Sequence, residues 1–364
     1  MGTHVSKTVR KSKNTIGRII VPNSTKGMDE IIQKAIAHSE ASKRTSAPWK
    51  ADQPHEQQYF HFNHSKQQWG PQEPVAAAKQ ESSKTGSPGL SRLALFTWNI
   101  DFMLPYAESR MEAGLTTLQD LASRLPGSTG VVIFLQECVR SDLATISQQP
   151  WIRERFTITD TTVNNWASGH YGTTMLVDRR LAIAKLFRVH YAKTRMGRDA
   201  FFVDIIMGQA GDKRVRLCNS HLESLAFDPP YRPSQVQLIS QYLRDGDVHA
   251  GIAAGDFNAI QDFDRNLHSE NGLKDAYLER GGKEDSDDGY TWGQQAATNL
   301  RERFDCSRMD KVYFHGQLEL RDMERFVADL QLQDPKQREH LVSLGFEKPW
   351  ITDHIGVKTE FEVV

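Results

Sequence analysis

Six apolar runs in this chain end or begin in side chains that could do chemistry. LALFTWNI carries Asn99 and leads into Asp101, VVIFLQE ends in Glu137, and KRVRLCNSHL ends around His221, followed by Ser224. AGIAAGDFN delivers Asp256 and Asn258, RMDKVYF carries Asp310, and the last run is entered through Asp353 and His354. Singly, an acid after a strand is a turn residue or a helix cap, and an isolated His is satisfied in a core. Six such ends together are different, because converging carboxylates add nothing to packing. Four acids in one pocket repel unless a divalent cation neutralises them. Asp101, Glu137, Asp353 and Asp256, with Asn amides beside them, are hard oxygen donors that suit Mg²⁺ or Mn²⁺ and not zinc. Nucleophile and nucleotide-loop chemistries fail on content: the chain has no GxSxG, GxxxxGK[ST], GxGxxG or HExxH segment. Ser220 and His221 are neighbours on a strand and point to opposite faces, so they make no Ser–His pair.

Rigid elements must bring these ends together. LALFTWNI and VVIFLQE read as buried strands, with an amphipathic helix at about 108–125 between them. FTITDTT, GTTMLVD, KLFRVHY, AFFVDIIM and KRVRLCNSHL follow as strand candidates at short spacing. PSQVQLISQYLRDG (233–246) reads as a helix, with Pro near its start and Gly after its end. AGIAAGDFN, RMDKVYF and HIGVKTEFEV are strands again. Many strands with a few amphipathic helices predict an α+β fold of two sheets packed face to face, with helices outside.

The first 90 residues differ from the rest. They hold 13 Lys+Arg and 7 Asp+Glu, a net of +6, against 32 and 39, a net of −7, in residues 91–364. Residues 1–27 are basic and without periodicity, a pattern of disorder, and they suit a solvated tail or contact with an anionic surface. Residues 28–42 form a short amphipathic helix pattern. Tyr59, Phe60, Phe62 and Trp69 are too many aromatics for a free linker and predict a strand or hairpin against the main domain. Residues 74–90 read as a linker, which places a domain boundary between 90 and 91. Gly2 and Ser6 fit the loose N-myristoylation pattern, a match short enough to arise by chance. Cys138, Cys218 and Cys306 form no CxxC pair, which disfavours a disulfide scaffold and fits a reducing intracellular compartment.

TWNID (97–101), LQE (135–137), SHLES (220–224), GDFN (255–258), RMDKVYF (308–314) and TDH (352–354) carry a family resemblance. Their order resembles that of the endonuclease/exonuclease/phosphatase superfamily over about residues 93–364. Within it, TWNID with its short loop and helix, SHLES, and TRMGR (194–198) ahead of AFFVDI resemble the tyrosyl-DNA phosphodiesterase 2 branch. GDFN stands where that branch has GDTN, and TDH where it has SDH. The resemblance implies a four-layer αββα sandwich of the DNase I-like kind. It also implies a Mg²⁺-dependent phosphodiesterase, with Mn²⁺ as an alternative ion, acting on DNA whose 5′ end is blocked by a phosphotyrosyl adduct. That activity belongs in the nucleus or cytoplasm.

The resemblance implies the following roles: Glu137 is the direct metal ligand, with Asp101 close by, directly or through water, and Asp353 in the outer shell. Asn99 donates to a phosphate oxygen. Asp256 orients and deprotonates the attacking water, and Asn258 holds phosphate and water. His354 donates to a non-bridging oxygen, with Asp310 fixing its tautomer. His221 and Ser224 bind phosphate or shape the pocket, and Arg198 falls at a DNA-contacting arginine. Tyr171 and Trp292 stack on a base or on the tyrosine, or else pack in the core. The rivals are another hydrolase of the superfamily acting on nucleic acid or phosphoinositide, and a binding module that kept the fold without catalysis.

Overall fold

A computed structural model of the chain describes residues 28–74, 90–208 and 210–364. The expectations for the basic segment 1–27 and for the linker beyond residue 74 lie outside them. In chain order the strands are β1 (Pro54–Glu56), β2 (Tyr59–Asn63), β3 (Gln68–Gln72), β4 (Arg92–Asn99), β5 (Thr129–Val139), β6 (Phe156–Ile158) and β7 (Tyr171–Asp178). They continue with β8 (Ala182–His190), β9 (Asp199–Met207), β10 (Lys213–Ser220), β11 (Ala250–Asp256), β12 (Lys274–Asp275), β13 (Asp310–Gly316), β14 (Leu318–Phe326) and β15 (Gly356–Val363). One sheet runs β1-β8-β9-β10-β11-β13-β12 and the other β14-β15-β4-β5-β7-β6-β2-β3.

The sequence explains why four layers form. Along β4, Leu93 and Leu95 face the other sheet, packing with Phe201, Val203 and Leu217, while Ala94, Phe96 and Trp98 face helices. A strand apolar on both faces must be covered twice, so it lies inside a sandwich with a helix layer beyond. Helix α2 (Ala107–Ser123, numbered after α1, Met28–Ser42) covers the larger sheet. Its Met111, Leu115, Leu118 and Ala122 recur at helical spacing and are buried there. Over the smaller sheet lies a helix at Arg232–Leu243, which buries Val236, Ile239 and Leu243 against Phe202, Cys218 and Ala253. No helix of the described residues is long and apolar enough to cross a membrane.

Most neighbouring strands are antiparallel, but β4 pairs β5 in parallel and β10 pairs β11 in parallel. Each parallel pair is connected through one of the two helices just described. All four of these strands therefore point the same chemical end toward one edge of the sandwich.

The aromatic run upstream of residue 74 forms β2 and β3 at the edge of the larger sheet, and β1 pairs with β8 in the smaller one. Both sheets thus draw on residues from each side of the boundary at 91. Phe62 is buried, with Trp69 edge-on at 5.4 Å and the Arg153 guanidinium 4.6 Å above its ring. A strand absent from the sequence reading is β14, where Leu318 and Leu320 alternate with Glu319 and Arg321 on an exposed edge. Phe62→Ala should cost about 3 kcal/mol of stability. A urea midpoint equal to that of the parent protein would show that the hairpin adds nothing to the fold.

Candidate active site

The parallel pairs deliver the site. In register, Asn99 lies beside Gln136 at the end of β4–β5, and Asp256 closes β11 opposite Asp310 on β13. The two sheets meet where the Asn99 amide donates to Asp256 Oδ2 across 3.0 Å. Beneath that contact a run of buried amides spans the sandwich. Gln136 Nε2 donates to Thr97 Oγ1 (3.0 Å) and to Asn219 Oδ1 (2.8 Å), and Asn219 Nδ2 donates to the Leu135 and Thr174 carbonyls. This polar seam fixes the sheet spacing under the site in a way that apolar contacts, which tolerate sliding, do not.

Local backbone strain aims the side chains. Asp101, Glu137 and Asn258 all have positive φ, at 55°, 60° and 47°. Glu137 sits where the register between β5 and β7 slips, a bulge that turns its carboxylate out of the strand's alternation. Gly255 lets β11 approach β10, since a Cβ there would overlap the Ser220 carbonyl oxygen. Arg110, buried on α2, donates to the carbonyls of Ile100, Asp101, Leu104, Pro105 and Ile351. One guanidinium thereby holds the loop carrying Asp101 and the loop carrying Asp353.

The protonation states follow from partners. Arg198 Nη1 can only donate, so His221 Nδ1 accepts from it at 2.5 Å. Burial and Arg198 push the His221 imidazole down to about 4, so it is neutral, with Nε2–H facing Asp256 Oδ2 at 3.2 Å. His354 is the opposite case. Burial works against its charge, but Asp310, Asp256 and Asp353 raise it well above its ordinary value. Its Nδ1 lies 2.7 Å from Asp310 Oδ2, and its Nε2 lies 3.7 Å from Asp256 Oδ2. Burial alone would raise Asp256, yet His221, His354 and the Asn258 backbone N–H hold it well below the carboxylate range. Two histidines on one carboxylate thus carry different charges, set by what stands behind each.

A different group of acids is short of positive charge. Burial, then Asp101, pushes Glu137 up to about 8 and Asp353 up to about 7; burial also raises Asp101 despite Arg110. Asp101 Oδ2 is buried without a hydrogen-bond partner. Oxygen donors that repel one another, one of them orphaned, fit a divalent cation held by Asp101, Glu137 and Asp353. Among the described residues, Asp256, Asp310 and His354 are the group whose donor atoms lie within 4.8 Å of one another, and Asp101, Glu137 and Asp353 stand farther apart. The trio with His354 is the poorer cradle, because a protonated imidazole has no lone pair to give a metal.

The remaining candidates fall in different places. Arg198 is buried, and its guanidinium lies 5.1 Å over the Tyr171 ring. Tyr171 stacks on Phe102 at 4.1 Å and donates its hydroxyl to the Met196 carbonyl, so its ring is part of the wall. Trp292 is buried, with Nε1 donating to Asp353 Oδ2 at 2.6 Å; it orients an acid where a stacking surface was an alternative. Ser224 is half-buried on the loop after β10 and makes no hydrogen bond to the cluster among the described residues. Sequence reasoning missed Arg110, and it placed Gln136, Asn219 and Glu223 at strand ends without giving them a role. Glu223 accepts from Thr194 Oγ1 and from the Arg195 and Met196 backbone N–H groups, which fixes the loop that presents Arg198. Its place inside SHLES was the signal available.

This arrangement of two packed sheets with converging acids, amides and histidines marks the chain as a member of the Endonuclease/Exonuclease/phosphatase family, whose model matches residues 96–354. Among curated proteins it is similar to the 5′-tyrosyl-DNA phosphodiesterase of Caenorhabditis briggsae, at 27% identity over 234 residues, 62% of this chain and 60% of that protein. The protein of the same name from Caenorhabditis elegans is also 27% identical, over 62% of this chain and 59% of its own length. The match thus spans about three-fifths of those relatives. In fold it is similar to a humanized D. rerio TDP2 (TM-score 0.55, 18% identity, 75% of this chain and 100% of that one). A truncated C. elegans TDP2 gives a TM-score of 0.53 at 21% identity, with 75% of this chain and 98% of that one covered.

The raised carboxyls have a consequence for stability. Glu137 and Asp353 keep protons in the folded state that the unfolded chain releases, and His354 acts in the same direction. A group raised in this way stabilises below its unfolded pKa and loses that contribution as pH rises through its folded pKa. Protein treated with EDTA should therefore lose stability between about pH 4.5 and 8, on the order of 2–4 kcal/mol, and saturating Mg²⁺ should flatten the slope. Thermal unfolding across that range checks this; a metal-free protein that gains stability toward pH 8 would contradict the assignment.

Proposed function

We propose that this chain is a Mg²⁺-dependent phosphodiesterase that hydrolyses 5′-phosphotyrosyl–DNA linkages, a DNA-repair activity of the nucleus or cytoplasm. The observation that carries the reading is Asp256, held between neutral His221, protonated His354 and the Asn99 amide at the meeting of the two sheets. Similarity to proteins named 5′-tyrosyl-DNA phosphodiesterase supports the choice of substrate.

Asp101, Glu137 and Asp353 would hold the Mg²⁺, which when bound would supply positive charge to the phosphate. The chain's own residues do the rest. Asn99 donates its amide to the phosphate, and the loop through Asn258 bounds the pocket. His354 carries a proton on Nε2 and turns it from Asp256 to a non-bridging oxygen as negative charge grows there. That movement takes one cationic partner from Asp256 and leaves it a better base. Asp256 then aligns the attacking water opposite the leaving phenolate and receives its proton. Asp310 fixes the His354 ring through Nδ1 and keeps it charged.

A tyrosyl leaving group has a pKa of about 10, so it departs without a strong general acid. Asp256→Asn should lower single-turnover rates roughly 10³-fold on every substrate, since water activation is always needed. His354→Ala should cost about 2–4 kcal/mol on tyrosyl DNA. A nitrophenyl leaving group should rescue His354→Ala only slightly; strong rescue would make His354 a general acid and count against the tyrosyl reading. Glu137→Gln should lose on the order of 10²-fold at low Mg²⁺ and recover partly at high Mg²⁺. A panel of 5′-phosphotyrosyl DNA, abasic DNA, poly(A) and inositol phosphates, compared by kcat/KM, tests the substrate. Preference for any of the last three would overturn it.

A further inference from the structure

Between helix α1 and strand β1 the chain gains little from burial. From Lys43 to Gln53 only Arg44 and Trp49 are partly covered, and the rest stand in solvent. A segment of this kind stays in place only if its backbone and polar groups are tied down. Here the ties go to two loops. Arg44 Nη2 donates to the Val163 carbonyl at 2.8 Å, and Arg44 Nε donates to the Trp166 carbonyl at 2.9 Å. Lys43 Nζ donates to the Arg195 carbonyl at 2.6 Å. The Asp52 N–H donates to the His190 carbonyl at 2.8 Å, and Asp52 Oδ1 accepts from the Ala192 N–H at 2.9 Å. Trp49 lies flat on the His190 ring, with centroids 3.9 Å apart, and His190 Nε2 lies 2.9 Å from the Asn165 carbonyl oxygen.

Those two loops are the walls of the site. Residues 163–170 lead into Tyr171, and residues 191–198 end in Arg198. The loops touch: the Tyr171 hydroxyl donates to the Met196 carbonyl at 3.2 Å, and a Cβ on Gly197 would lie 2.8 Å from the Ser168 backbone nitrogen. The ties reach Arg198 from both sides. Upstream, Lys43 holds Arg195, and Thr194 Oγ1 accepts from the Arg198 N–H at 3.0 Å. Downstream, Gln57 Oε1 accepts from Arg188 Nε at 3.0 Å, and Arg188 Nη1 donates to the Asp199 carboxylate at 3.1 and 3.2 Å. Arg198 itself is buried against His221 and Tyr171. A segment present for stability alone would bury apolar surface. This one directs its bonds to the placement of two loops.

We infer that residues 43–57 are a strap that positions Arg198 against the substrate, so that this stretch belongs to the active-site unit and not to an appended extension. Lys43 and Gln57 are positioning residues, which act through Arg195 and Arg188. The inference rests on the proposed reading that Arg198 lines the substrate site. When the strap loosens, a smaller fraction of molecules has the wall assembled. The apparent affinity for substrate falls by that fraction, while the chemistry in assembled molecules is unchanged.

The test uses the full chain and thymidine 5′-(4-nitrophenyl phosphate), a phosphodiester whose cleavage does not depend on a tyrosyl leaving group. Lys43 is exposed, so Lys43→Ala should leave the melting temperature where it is. It should raise KM about three- to tenfold, the worth of one hydrogen bond, with kcat within about twofold of the parent. Lys43→Arg keeps a donor and should return KM to within about twofold of the parent. In an Arg198→Ala background, Lys43→Ala should change kcat/KM by less than about twofold, because nothing is left to position. Hydrogen–deuterium exchange should quicken in residues 191–198 of Lys43→Ala and stay as it was in β4 and β11. Exchange in 191–198 that matches the parent overturns the strap, and so does an effect of Lys43→Ala that is equally large with and without Arg198. With the expected effects present, cleavage of the nitrophenyl ester but not of tyrosyl DNA supports the strap and counts against only the proposed leaving group.

Discussion

A carboxylate shut away from water has only the charge that its neighbours allow it. In this molecule that constraint sorts four buried acids into two camps. Asp256 is given its charge by imidazoles and an amide, whereas Asp101, Glu137 and Asp353 are set against one another. Everything else in the site serves to keep that division. Arg110 is spent on carbonyls, not on acids, so it holds two loops in place without satisfying the cluster. Burial, with Arg198 behind it, keeps His221 neutral and so keeps a second imidazolium away from Asp256. Buried acids set against one another in this way are costly to keep charged.

The polar seam between the sheets makes the arrangement reproducible. Apolar faces of two sheets can slide by a fraction of a residue at small cost, but the Gln136–Asn219 bond cannot be kept if they do. The amides therefore convert a generic sandwich into one fixed distance between Asn99 and Asp256. They sit one residue before the catalytic candidates on β5 and two before His221 on β10, where any shift would be carried directly to the site.

Much of this was legible in the sequence. Asn99, Glu137, Asp256, Asp310 and His354 were readable because each closes or opens an apolar run, and a buried strand leaves little choice about where its end goes. The two packed sheets with outer helices followed from the same runs. Other features were illegible for physical reasons. Positive φ at Asp101 and Glu137 depends on bulges that long-range pairing creates. Arg110 looks like one more charge on an amphipathic helix, since nothing local shows that carbonyls from two loops converge on it. Tyr171 and Trp292 are aromatic in type, and only their partners, Phe102 and Asp353, decide that they brace the wall. Edge strand β14 was passed over because solvent on one side leaves its pattern half polar.

The pairing order of the larger sheet bears on how the molecule comes into being. β15 lies between β14 and β4, with Leu95 beside Thr359. During synthesis β4 emerges early, yet its partner on that side appears only after more than two hundred further residues have left the ribosome. Until then an apolar strand keeps an open edge, the condition in which chains cross-pair. The same delay applies to His354, which enters at the mouth of β15. An incomplete chain thus holds Asp256 without an imidazole that lowers its pKa, and it keeps an open apolar edge.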